Sequence, residues 1–157
     1  MSQVLSEQSK AVDAFASLLR AHAASTRLFS AQLTSDHGLT ISDYEVLLRL
    51  ARAPDRRMRR VDLAEQVLLT ASGITRLLEG LERSGYVARG ACDSDRRVVY
   101  AVLTDAGLAK LRDASRSHLV QVETYFTARF GEDELTDLAG LLGRLGMDEP
   151  QACDIPD

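Results

Sequence analysis

Residues 70–104 read TASGITRLLEGLERSGYVARGACDSDRRVVYAVLT. Thr70 stands where a helix N-cap would, and Ile74, Leu77, Leu78 and Leu81 follow at the three- and four-residue spacing of one apolar helix face. Gly85 then closes the helix in the left-handed conformation that a side chain disfavours. Beyond it the period changes from 3.6 to 2. Tyr86 to Arg89 and Val98 to Leu103 read as two strands, and Gly90 to Arg97 between them is a hairpin loop too long for a tight turn. A capped helix running straight into a hairpin is therefore the centre of the chain.

Working outward, Val61 to Val67 carries Leu63, Ala64 and Val67 on one face and reads as a helix of two turns, while Arg57 to Arg60 is too short and polar to be more than an edge strand. Upstream, Thr40 with Asp43 three residues on resembles a capping box for a helix through Tyr44, Leu47, Leu48 and Ala51 that stops before Pro54. A long amphipathic helix from Ser9 to about Leu33 comes first. Downstream, Thr104 and Asp105 start a second long helix with Leu108, Leu111, Leu119, Val122, Phe126 and Phe130 in its apolar series, and a last helix follows Gly131. Residues 147–157 are acidic, contain proline and show no period, so disorder is expected there. The expected fold is mainly α with a small β-hairpin wing. The middle, residues 39–104, offers too little apolar surface to satisfy the flanking helices, 9–34 and 105–146. A second copy of the chain is the economical partner for their stripes.

The 157 residues carry a net charge of −4, which taken whole disfavours a polyanionic partner. The distribution reverses that inference. Arg56 to Arg97 holds nine Arg against six acids, whereas Gly131 to Asp157 holds eight acids against Arg144 alone. Seventeen of the nineteen basic residues are Arg, whose planar fork suits phosphates and narrow minor grooves better than Lys does.

A helix whose N-terminus reads base edges needs small polar groups and an Arg there, without bulky acids. Thr70, Ala71, Ser72, Gly73, Thr75 and Arg76 meet that need. Small residues allow close approach to the duplex, the first amides and the helix dipole favour a phosphate, and Arg76 can reach phosphate or guanine.

The hairpin makes the pattern specific. Asp95, one residue, Arg97, five residues, then Leu103 and Thr104 resembles the wing signature of the MarR family of winged helix-turn-helix regulators. LLTASGITRLLEGLERSGYVAR resembles that family's recognition helix and first wing strand, and GLTISDYEVLLRL its second helix. The resemblance covers roughly residues 10–147. It implies a homodimeric regulator of double-stranded DNA, with a helix over 70–84 in the major groove and a wing over 86–103 in the minor groove. Arg97 would be inserted and Asp95 would brace it. Arg96 and Arg89 would contact phosphates, the first and last two helices would form the dimer, and the operator would be an inverted repeat.

The family also implies a small aromatic or phenolic effector, for which His22 and Tyr44 are the candidate contacts. Cys92, in the wing loop near Arg89, Arg96 and Arg97, is a candidate redox residue opposed by Asp93 and Asp95. Three scattered His make no metal site, and no cofactor is expected. No GxSxG, P-loop or HExxH occurs, so an enzyme is not expected. Neither a leader nor a membrane span is read, and a cytoplasmic protein is expected. A winged-helix module that binds a protein partner instead of DNA is the alternative.

Overall fold

The computed structural model describes residues 9–67, 69–91 and 97–145. Among the described residues six α-helices and three strands run in the order α1 (Lys10–His37), α2 (Ile41–Arg52), β1 (Arg57–Arg59), α3 (Arg60–Gln66), α4 (Ala71–Arg83), β2 (Val87–Ala91), β3 (Val99–Leu103), α5 (Asp105–Thr127) and α6 (Glu132–Gly143). The chain divides into two units, one ending at Ile41 and one beginning at Ser42.

In the first unit, Ser9 caps α1 by accepting from the Ala11 N–H at 3.3 Å. The helix outlasts its apolar stripe by a turn. Thr34 to Asp36 add no apolar period but continue it to Gly38, whose φ of 66° ends it while its N–H donates to the Thr34 carbonyl. Val12, Phe15 and Leu19 on α1 are exposed.

In the second unit the strands form an antiparallel sheet in the order β1-β3-β2. The wing is thus more than a hairpin. β1 pairs Met58 with Ala101, and β2 pairs Arg89 with Ala101 on the other side of β3. β2 also runs two residues further than its alternation suggests, with Gly90 opposite Tyr100 and Ala91 opposite Val99. A three-residue turn, Pro54–Arg56, feeds β1 and holds Asp55 and Arg56 at φ of 54° and 52°. Two successive non-glycine residues in that region are strained.

Leu63, Leu78, Leu111 and Val46 are fully buried, with Ile74, Leu81, Val87, Ala101 and Leu103 nearly so. Each such Leu, Ile or Val side chain contributes roughly 1.5–3 kcal/mol by leaving water. Leu77, expected in the stripe of α4, is only half-buried. The helix α5 ends at Thr127, so Phe130 falls outside it. None of the residues of α6 is buried, and Leu141 and Leu142 in its last turn and Leu145 just beyond it are exposed.

Candidate nucleic-acid interface

The N-terminal end of α4 is built by its cap. Thr70 Oγ1 accepts from the Gly73 N–H at 3.1 Å and lies 3.2 Å from Ser72 Oγ, so the first turn is closed without an acid. Thr75 Oγ1 donates back to the Ala71 carbonyl at 2.8 Å. Both threonine hydroxyls therefore serve the helix itself. What the end offers outward is the Ser72 hydroxyl, the Ala71 and Ser72 amides that no helix carbonyl can reach, and the Arg76 guanidinium. Arg76 is exposed and makes no hydrogen bond or ion pair among the described residues. Ala71 and Thr75 also border a shallow groove of about 370 Å³ that α4 shares with Arg60, Val61 and Ala64 of α3.

The other end of α4 is fixed as firmly. Gly85 at φ 77° lets its own N–H donate to the Glu82 carbonyl at 3.0 Å and the Tyr86 N–H donate to the Leu81 carbonyl at 3.0 Å, which is the glycine-dependent helix stop expected from the sequence. Arg89, expected to contact phosphate, donates from Nε to Glu82 Oε2 at 2.9 Å, tying β2 to α4. Arg97 stands exposed in the turn before β3. Asp95, Arg96 and Cys92 lie outside the described residues, as does the tail 147–157.

Sequence reasoning did not single out the uses of the arginines before and in β1. Arg56 donates to Asp105 at 2.9 Å, Arg57 lies 4.8 Å over the Tyr100 ring, and Arg59 grips Asp62 with two bonds of 2.6 and 2.7 Å. Hydrogen bonding to Asp62 and its charge raise the Arg59 pKa further above an already high value. It is a permanent cation.

Comparison with known proteins decides what this arrangement belongs to. Residues 37–98 match the MarR family. The MarR family transcriptional regulator AbsC from Streptomyces coelicolor is 30% identical, with a TM-score of 0.72 over 88% of this chain and 94% of that one. The chain belongs to the MarR family. Sco3205, a MarR family transcriptional regulator from the same organism solved in complex with DNA, is 26% identical with a TM-score of 0.80, covering 92% of this chain and 91% of that one. The HTH-type transcriptional regulator MhqR of Bacillus subtilis is 27% identical over 115 residues, 73% of this chain and 77% of its own.

This MarR-family chain is thus a transcriptional regulator with a DNA-binding winged-helix fold, in a family of regulators rather than enzymes. Its two effector candidates have different surroundings. His22 is exposed on α1. Tyr44 on α2 is buried, with its hydroxyl 3.0 Å from Ser115 Oγ and its ring centroid 4.8 Å from that of His118, both on α5. Ser115 donates to the Leu111 carbonyl at 2.7 Å, so the Tyr44 hydroxyl is the donor in their bond. Burial pushes the His118 imidazole below its ordinary pKa. Among the described residues no three metal-ligating side chains gather, and no helix is long and apolar enough to cross a membrane.

Proposed function

We propose that the chain is a cytoplasmic, homodimeric repressor of an inverted-repeat operator in double-stranded DNA, released by a small aromatic or phenolic molecule. The observation that carries DNA reading is the acid-free N-terminus of α4, where Ser72 and Arg76 are exposed beside Ala71 and Gly73 while Thr70 and Thr75 hold the helix in shape. In this reading that end enters the major groove. The wing over 86–103 lies in the minor groove with Arg97 inserted, Asp95 bracing it and Arg96 on a phosphate. Arg89 keeps its bond to Glu82, which orients the rest of its guanidinium for a phosphate.

The dimer is supported by α6, none of whose residues is fully buried among the described residues and whose Leu141 and Leu142 are exposed, and by the exposed Val12, Phe15 and Leu19 of α1. A monomer rarely leaves two such stripes in water. The division of labour is a reading lobe over residues 39–104 and dimer helices over 9–34 and 105–146. The acids of α6 and the tail would then sit away from the duplex. For the effector, His22 is an exposed contact, whereas Tyr44 would have to exchange its bond to Ser115 for one to the ligand.

Selection from a random duplex pool should return an inverted repeat. Affinity for it should fall by orders of magnitude between about 50 and 200 mM salt as phosphate contacts are screened. Absent or salt-insensitive binding would favour a protein-binding module. Oligomeric state by sedimentation checks the dimer separately.

A further inference from the structure

We infer that Thr104 is a positioning residue: it fixes α4 to α5 and thereby sets the separation at which two recognition helices meet DNA. This rests on the two-fold reading proposed above. Thr104 sits at the junction of three elements. Its hydroxyl lies 2.7 Å from the Gly85 carbonyl and 3.1 Å from that of Tyr86, and its single proton goes to the nearer. The same oxygen accepts from the Gly107 N–H at 3.0 Å as the cap of α5. Its own N–H donates to the Tyr86 carbonyl at 3.1 Å. One residue thus caps α5 and clamps the segment that ends α4.

The clamp has little slack. Gly107 presses on the Tyr86 backbone so closely that a Cβ would overlap the Tyr86 carbonyl oxygen and stand 2.9 Å from its carbon. At Gly107 itself the backbone of α5 meets the Tyr86 carbonyl directly. The α4–β2 link is bonded to the last turn of α4 through Tyr86 to Leu81 and Gly85 to Glu82. This path from α4 to α5 therefore runs through backbone and the hydroxyl of one side chain, Thr104.

A lever makes this consequential. The 13 residues of α4 span roughly 20 Å, and the reading end is the one far from the clamp. A tilt of about 10° at Gly85 moves Ala71 by about 3.5 Å, one base-pair step. Loss of the clamp would blur spacing before it weakened contacts within one half-site.

The experiment measures affinity of the full-length protein for the selected operator at its native half-site spacing, for the same operator with one base pair inserted, and for a single half-site. Thr104→Ser retains both roles of the hydroxyl. Thr104→Asp retains the cap acceptor but cannot donate to Gly85, and Thr104→Val removes both. Wild type and the Ser protein should lose roughly tenfold or more on insertion, and the Asp and Val proteins about threefold or less, with half-site affinity within about twofold of wild type. A purely structural role would lower all three affinities together and leave their ratio unchanged. Circular dichroism identifies folded variants, and either Asp or Val suffices. A folded variant with the wild-type insertion penalty overturns the inference. Wild type indifferent to spacing overturns the two-fold reading, and the positioning role with it.

Discussion

Replacing Gly107 by Ala sets two effects of opposite sign against each other. Gly107 is the third residue of α5, where Ala is favoured over Gly by about 0.8–1 kcal/mol on helix propensity. Against this, the new methyl would meet Leu103 Cδ1 at 2.7 Å, the Tyr86 carbonyl carbon at 2.9 Å and, closer still, the Tyr86 oxygen. Leu103 can rotate its end away. The Tyr86 peptide cannot, because its N–H is held by Leu81 and its carbonyl by the Thr104 N–H. The first turn of α5 must therefore lift, which adds an overpacking cost of about 1–3 kcal/mol to about 1 kcal/mol for each Thr104 bond stretched. The net expectation is a loss of about 2 kcal/mol, or roughly 4–8 °C in Tm for a chain of this size. Urea unfolding followed by circular dichroism at one fixed protein concentration measures it, since the stability of the proposed dimer depends on concentration. Gly80→Ala in α4 is the control. Its Cβ would meet only Arg83 Nη2 at 3.9 Å, so it should gain up to about 1 kcal/mol. A Gly107→Ala protein as stable as wild type would refute the close approach of α5 to Tyr86.

Arg97→Ala should weaken operator binding by about 1–3 kcal/mol and make the salt dependence shallower, whereas Arg76→Ala should cost a similar amount and alter base preference at one position per half-site. Fluorescence anisotropy against a panel of operator variants separates the two, and wild-type affinity in the Arg97→Ala protein would sink the wing assignment. Leu141→Glu, at an exposed position on α6, should leave helix content intact while shifting sedimentation toward the monomer; an unchanged dimer would move the interface elsewhere. Burial holds the His118 imidazole below its ordinary pKa of about 6.5, so the unfolded chain binds that proton first and stability falls as pH drops below about 6.5. The urea midpoint of a His118→Gln protein should therefore fall less than that of wild type between about pH 7.5 and 5.5, and an equal fall would assign the titration to other groups.

The capped helix and hairpin were legible because their signals are local. Thr70, the apolar spacing of α4, Gly85 and the change of period are each decided within a few residues. Contacts that cross between elements left weaker traces. The pairing of Arg89 with Glu82 joins residues seven apart across a helix–strand corner, a spacing that no helix or strand rule brings together. Tyr44 belongs to an amphipathic pattern that fits a cleft and a core equally well, and its burial against Ser115 and His118 left no trace in that pattern. Gly107 did carry a signal: a glycine in the first turn of a helix costs stability unless something needs the missing side chain. What it needed was the Tyr86 backbone, which lies outside any local pattern.

Regional charge misleads in a related way. The nine arginines from Arg56 to Arg97 suggested a phosphate-binding surface, but Arg56, Arg59 and Arg89 each hold a carboxylate and Arg57 lies over Tyr100. A guanidinium already paired brings little net charge to a phosphate, whereas Arg76 brings a whole one. The salt slope of DNA binding counts the counterions released, so it should report far fewer contacts per protomer than nine. A slope near that full count would mean that the ion pairs around β1 open on binding, and that these arginines are phosphate ligands held in reserve rather than struts of the fold.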